Sequence, residues 1–304
     1  MAKTVVCSFS ELDTYRQCAL KHQLAYIERW QTEDAAESLV RGKLFHAVME
    51  QHYLALQAKQ RLSQAKTAQD IVDYEAFIAT CGENIKKLLF DPETGEQHPL
   101  QENVEWMYRG YLDHYTNDSN WQIVAVERKF EEWLPTERGT RSSFRMKGTL
   151  DLVVRDLSAG GGLWIVDHKT CKTLPKQRDI DFDDQFAIYE WLMRKRGNNI
   201  RGVIYNAVRH NKLKTRELMP HERFKRHLTV RTQEELNTIA VEAYVQLRRA
   251  WREGIDRRPV PRTPDGDRCG WRCSFTEQCL AGRKGHDMRG MLINTGFVQN
   301  FERH

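Results

Sequence analysis

Gly148-Thr149-Leu150-Asp151-Leu152-Val153-Val154-Arg155, followed after a short gap by Leu163-Trp164-Ile165-Val166-Asp167-His168-Lys169, is the stretch that decides the fold. Both runs read as β-strands, and Ala159-Gly160-Gly161-Gly162 reads as the turn between them. No helix follows the glycines to cradle a phosphate, so they are hairpin chemistry. Side chains on a strand alternate, so Asp167 and Lys169 share a face, and the hairpin brings Asp151 towards them.

The pattern extends outward from this hairpin. A strand over 122–133 precedes it, giving a three-stranded meander with 144–155 and 163–169. A helix over 182–196 follows, then strands near 201–209, 213–219 and 224–230. A long helix over 232–253 opens on Thr232 and Glu235, spaced as a capping box. Upstream, Ser10 and Asp13 predict the start of a helix running to about Trp30. Leu39, Phe45, Met49, Tyr53 and Leu56 predict an amphipathic helix over 38–62. Residues 65–118 read as two or three helices broken at Asp91-Pro92-Glu93-Thr94-Gly95, and the chain after Pro259 and Pro261 reads as loop. The expected fold class is α/β: a core of helix, three-stranded meander, helix and strand, with an N-terminal helical insertion and a cysteine-rich C-terminal tail. The expected domains are 1–120, 121–255 and 256–304.

The 304 residues carry a net charge of +5, unevenly distributed. Residues 1–169 sum to −5 and 170–304 to +10. Lys172, Lys176, Arg178, Arg194-Lys195-Arg196, Lys212, Lys214 and Arg216 lie in the basic half, a bias suited to a polyanion such as nucleic acid. The N-terminus lacks the long apolar core of a signal peptide, and no run reaches the length of a membrane span, so an intracellular, cytoplasmic protein with no membrane association is expected. The seven cysteines are not spaced as a disulfide framework and read as metal ligands or free thiols.

Asp151 and Asp167 offer the hard oxygen ligands that Mg²⁺ or Mn²⁺ prefers, with the Lys169 cation beside them. Such a set suits phosphodiester hydrolysis, whereas Asp-x-Lys alone is common and more often reads as an edge-strand ion pair. His46, on the 38–62 helix, is a metal ligand or a structural histidine beside an apolar stripe. Gln185 and Tyr189 share a helix face. Glu127 lies mid-strand, able to approach the site or to face solvent. Cys18 near one end and Cys269, Cys273 and Cys279 near the other suit a Zn²⁺ ion or an iron–sulfur cluster, and either would clip the first helix to the tail. Cys7, Cys81 and Cys171 read as buried small hydrophobes, and Cys171, two residues from Lys169, as a thiol open to oxidation.

In this order, His46, Asp151, Asp167-His168-Lys169 and Gln185-x3-Tyr189 resemble the RecB-like nucleases of the PD-(D/E)XK superfamily, whose core is restriction-endonuclease-like. Ser8-Phe9-Ser10-x-Leu12-x-x-Tyr15-x-x-Cys18 and the three-cysteine tail resemble its iron–sulfur branch, which includes AddB-type nuclease subunits, CRISPR-associated RecB-like exonucleases and stand-alone phage and bacterial exonucleases. The resemblance spans about residues 8–280. It implies that His46, Asp151, Asp167 and the carbonyl of His168 ligate the metal and that Lys169 is the catalytic lysine. Gln185 and Tyr189 support the site and contact DNA, and Glu127 matches an acidic position on the first core strand. Cys18, Cys269, Cys273 and Cys279 hold a 4Fe-4S cluster. The chain departs from the pattern twice. His168 replaces the second acid of the signature, and the first cysteine gap is three residues where two is commoner.

The resulting expectation is an Mg²⁺- or Mn²⁺-dependent deoxyribonuclease, an exonuclease on linear single- or double-stranded DNA ends, in a bacterial or phage-infected cell. No Walker motif is present, so it is expected to be a stand-alone nuclease or a subunit that borrows a motor from a helicase or recombination partner, with a homo-oligomer as a further expectation. The competing expectation is a non-catalytic DNA-binding or assembly subunit of a recombination, repair or CRISPR adaptation complex.

Overall fold

Alternating apolar runs become the strands of one mixed sheet in the computed structural model, which describes residues 4–32, 37–158, 160–255, 260–271 and 273–301. In chain order the elements are β1 (Val5–Ser8), α1 (Phe9–Gln17), α2 (Ala19–His22), a π-helical turn (Gln23–Ile27), β2 (Trp30–Thr32), α3 (Glu37–Leu62), α4 (Ala68–Leu89), α5 (Pro99–Tyr115), a 3₁₀ turn (Thr116–Asp118), β3 (Trp121–Pro135), β4 (Arg141–Asp156), β5 (Gly162–Cys171), α6 (Gln177–Asp181), α7 (Asp184–Lys195), β6 (Ile200–Arg209), α8 (Pro220–Arg223), β7 (Phe224–Thr229), α9 (Gln233–Ile255), α10 (Gly266–Trp271), α11 (Thr276–Arg283), α12 (Met288–Asn294) and β8 (Phe297–Gln299). None of these helices is long and apolar enough to cross a membrane.

The sheet runs β1-β4-β5-β6-β7, with β3 also on β4. The expected meander is present, and β4 pairs antiparallel with β5. β6 lies parallel to β5, which demands a crossover, and α6 and α7 supply it. β7 then returns antiparallel to β6.

Contacts divide the chain into two compact units. The sheet unit comprises 36–130 and 149–237; the terminal unit comprises 1–35, 131–148 and 238–304. In the sheet unit, Phe45, Val48, Met49 and Tyr53 of α3 and Val104, Met107 and Tyr111 of α5 form one core with Leu152, Val154, Val166, Ile204, Val208 and Phe224 of the strands. Residues of the opposite parity serve the other face, where Phe186 of α7 meets Tyr205 edge-on, with ring centroids 5.4 Å apart. Every residue from Phe186 to Met193 is buried. In the terminal unit, Leu20, Leu24, Trp30, Phe275, Leu292 and Phe297 cluster, and β2 pairs with β8.

Four expectations need correction. The N-cap of α1 is Ser8, which accepts from the Glu11 N–H, because β1 carries the chain to that point; Ser10 lies inside the helix. That helix does not run on to Trp30, since Cys18 adopts an extended conformation between α1 and α2. Residues 213–219 form no strand, because β6 already has β5 on one edge and β7 on the other. The tail is not simply loop: α10, α11, α12 and β8 follow Pro261, while Pro259 lies outside the described residues. Thr232 and Glu235 do form the expected reciprocal cap.

A buried polar chain crosses the core of the sheet unit. Asp118 pairs with Arg226 at 2.6 Å and accepts from Tyr53 Oη at 2.6 Å. Arg226 stacks on Tyr115 and Trp121, with its guanidinium carbon 3.6 and 4.0 Å from their ring centroids. Asp118→Ala leaves that cation buried without its counter-charge, so urea denaturation should show a loss of about 3–5 kcal/mol. Tyr111→Phe, which removes only hydroxyl contacts, should cost about 1 kcal/mol.

Candidate active site

The hairpin opens where the chemistry lies. The β4–β5 ladder ends at Leu152↔Val166, one residue short of Asp151 and Asp167. β5 continues alongside β6 as far as Cys171, so it is β4 that leaves. The freed N–H of His168 donates instead to Asp151 Oδ2 at 2.8 Å. A carboxylate thus replaces a strand carbonyl, fixing the Asp151 side chain in the fork.

His46 approaches the same oxygen, its Nδ1 3.3 Å from Asp151 Oδ2. Glu127 arrives from β3 by a local distortion. Trp121, Ile123 and Val126 all pack into one core, so the alternation slips by a residue just before Glu127. Glu127 itself has φ +46°, a left-handed conformation that costs a side-chain-bearing residue about 1–2 kcal/mol. Strained backbone of this kind marks sites where a side chain is being re-aimed. One donor atom each from His46, Glu127 and Asp151 lies within 4.8 Å of the other two.

Asp167 and Lys169 share a face of β5, as the period of two requires, with Lys169 Nζ 2.7 Å from Asp167 Oδ2. Lys169 Nζ also lies 5.9 Å from the Phe186 ring centroid. On α7, Gln185 Nε2 donates to Tyr189 Oη at 2.9 Å, and Tyr189 packs edge-on against Phe130 of β3. The His168 imidazole takes the opposite face, stacked on Tyr53 and 2.7 Å from Asn206 Nδ2.

The electrostatics follow from three acids sharing one partly dry fork. Burial pushes Asp167 up to about 6, although Lys169 opposes it and Asp151 adds to it. Burial and the charges of Asp151 and Glu50 push Glu127 up to about 7. Asp151 resists burial, because the hydrogen bond and charge of His46 hold it down at about 2. Burial disfavours charge on Lys169, but Asp167 and Asp151 outweigh it and keep the ammonium protonated. His46 follows the same balance, burial lowering it and Asp151 raising it further. Burial drives His168 down to about 3, so its ring is neutral. Clustered carboxylates that repel one another, together with an imidazole, form a donor set that a hard divalent cation satisfies.

The metal-ligand and catalytic candidates read from the sequence therefore lie in the sheet unit, in unequal roles. Glu127 joins the donor group with His46 and Asp151, while Asp167 stands paired to Lys169. The network behind His168 went unread: Asn206 bonds both His168 and Tyr111, which continues to Tyr53. Its signal was present in Ile204-Tyr205-Asn206-Ala207-Val208, an amide set inside an apolar strand.

In the terminal unit, Cys18, Cys269, Cys273 and Cys279 line one cavity of about 390 Å³. Burial raises the Cys279 thiol, Arg262 lowers it, and Cys18, Cys273 and Cys269 each raise it, so all four sulfurs act on one volume. Cys7 and Cys81 are buried. Burial lifts Cys171, which is only partly buried, to about 11, which disfavours its thiolate.

The sequence matches the profile of the PD-(D/E)XK nuclease superfamily over residues 6–280. The chain belongs to that superfamily. Its mixed sheet flanked by helices agrees with the restriction-endonuclease-like core of the superfamily. Solved structures similar to it include a protein from Eubacterium rectale provisionally named an exonuclease (14% identity, TM-score 0.47, covering 84% of this chain and 83% of that one). Another is SSO0001 (16% identity, TM-score 0.32, covering 77% and 97%). The search of curated proteins found no match.

If Glu127 is held in its strained conformation for its carboxylate, glycine should relieve the strain and still lose the function. Glu127→Gly should unfold at a free energy about 1 kcal/mol higher than Glu127→Ala, while both lose Mn²⁺ binding by calorimetric titration. Wild-type Mn²⁺ affinity in either variant would remove Glu127 from the donor group.

Proposed function

We propose that the chain is a divalent-metal-dependent deoxyribonuclease of the RecB-like, iron–sulfur branch, acting as an exonuclease on linear DNA ends. The observation that carries the reading is the fork between β4 and β5, where the His46, Glu127 and Asp151 donors converge beside the Asp167–Lys169 pair. Superfamily membership implies DNA as substrate, and the exonuclease assignment rests on the sequence resemblance.

His46, Glu127 and Asp151 would hold Mg²⁺ or Mn²⁺, with Asp167 and the His168 carbonyl as further ligands. The ion, when bound, neutralises charge on the scissile phosphate and acidifies water. Asp167 keeps Lys169 charged and directed into the fork. Lys169 orients the attacking water or hydrogen-bonds the phosphate oxygens as charge develops there. Gln185 and Tyr189 brace the site from α7 and offer an amide and a phenol to the DNA backbone.

The cysteine cavity fits a 4Fe-4S cluster better than zinc. Four thiolates around one Zn²⁺ stand about 3.8 Å from one another. Among the described residues these thiols form no tight group of donors like that of His46, Glu127 and Asp151, and all four line a cavity of about 390 Å³. Such a cluster is structural in this reading, since protein sulfurs fill all four positions.

End-labelled linear DNA, single- and double-stranded, should lose label with Mg²⁺ or Mn²⁺ and keep it in chelator. Lys169→Ala should lower the rate by at least about 10²-fold with its thermal unfolding unchanged. Full activity in that variant would sink the mechanism. Retained gel-shift binding without cutting by the wild type would favour a binding subunit.

Cys279→Ser should lose iron and acid-labile sulfide, and lower the melting temperature, because cluster binding is coupled to folding. Unchanged stability after anaerobic purification would argue against a cluster.

A further inference from the structure

Between the catalytic strand and the helix that braces it, the chain presents one large aromatic side chain to solvent. Phe182 follows α6 and is 80% exposed. Exposed aromatics usually sit on mobile surface, but this one does not. Its N–H donates to the Arg178 carbonyl at 3.3 Å, and the next N–H, that of Asp183, donates to the Ile180 carbonyl at 3.0 Å. Arg231 is buried, and its Nη2 donates to the carbonyls of Ile180, Asp181 and Asp183 at 3.3, 3.1 and 3.1 Å. The clamp therefore grips the backbone on both sides of Phe182 and leaves its side chain free. Glu190, buried on α7, pairs with Arg194 at 2.6 Å and also feels the charge of Arg231. A buried arginine spent on a six-residue turn is costly unless the turn must hold its shape.

Position says what the ring is for. Phe182 lies four residues before Phe186, so their Cα atoms are at most about 15 Å apart, and the Phe186 ring centroid lies 5.9 Å from Lys169 Nζ. The crossover between β5 and α7 carries exposed Lys172, Lys176 and Arg178, followed by exposed Asp179 and Asp181 before Phe182. Cations that follow a phosphate backbone, combined with a rigid aromatic face, are the elements of single-stranded nucleic-acid binding.

We propose that Phe182 is a positioning residue that stacks on a nucleobase of a single-stranded DNA end, fixing the strand so that its phosphate enters the fork. The inference rests on the nuclease reading above. It assigns the substrate contact to a base face, which every nucleotide offers, so it predicts tolerance of sequence together with intolerance of missing bases.

The test uses the full chain, labelled single-stranded oligonucleotides, and matched oligonucleotides with abasic residues near the labelled end. Wild type should show a KM roughly ten-fold lower on the intact strand than on the abasic one. Phe182→Ala should raise the KM on intact DNA roughly ten-fold, leave kcat and the abasic KM unchanged, and abolish the discrimination. Phe182→Trp should restore it. A 2-aminopurine near the end should be quenched on binding to Lys169→Ala, and not on binding to the variant that also carries Phe182→Ala. Wild-type KM in Phe182→Ala, or equal KM for intact and abasic strands in the wild type, would overturn the inference while leaving the nuclease intact. A Lys169→Ala protein that cuts at the wild-type rate, or a wild type that never cuts, would bring down the nuclease reading and this inference with it.

Discussion

The hydrogen bond from the His168 N–H to the Asp151 carboxylate is the contact from which the rest of the site follows. A strand pair cannot part inside a protein without leaving backbone groups unpaired. Here the first group released is taken by an acid on the departing strand, so the separation is stabilised by the residue it exposes. That single exchange opens space beside Asp167, gives His46 an oxygen to approach, and leaves room for Glu127.

β5 consequently works on two faces. Asp167 and Lys169 look towards α7, while His168 between them anchors into Tyr53 and Asn206 on the side of α3 and α5. The anchoring chain runs through Tyr111 and Asp118 to Arg226, so a buried polar network sets the pitch of the catalytic strand. Buried polar groups are expensive when unpaired and rigid when paired, and rigidity is what a site of this kind requires of its scaffold.

Much of this was legible in the sequence where periodicity was long. The meander, the crossover helix and α9 all follow from runs of ten residues or more with a clean period. The paired roles of Asp167 and Lys169 needed only alternation along a strand. Elements of three or four residues, such as β1, β2 and β8, carry too few positions for any period to register. Residues 213–219 carry only Leu213, Leu218 and Met219 as apolar positions, with no period of two, and form no strand. Glu127 was visible as a mid-strand acid, but its left-handed backbone was not, since nothing in Val126-Glu127-Arg128 announces a bulge. The Arg231 clamp joins residues some fifty positions apart, a relation invisible to any local window.

The division of the chain into units has a consequence for biosynthesis. The sheet unit is made of residues 36–130 and 149–237, whereas the terminal unit needs both 1–35 and 238–304. On the ribosome, the sheet unit has all its strands in hand before Cys269 is translated, and domains fold as they emerge. Cys18 is among the first residues to appear and must wait, as an unshielded thiol, for partners that come some 250 residues later. The nascent protein therefore passes through a stage in which all of its sheet unit has been synthesised and its cysteine-lined unit has not, so the four sulfurs come together only after the sheet is complete.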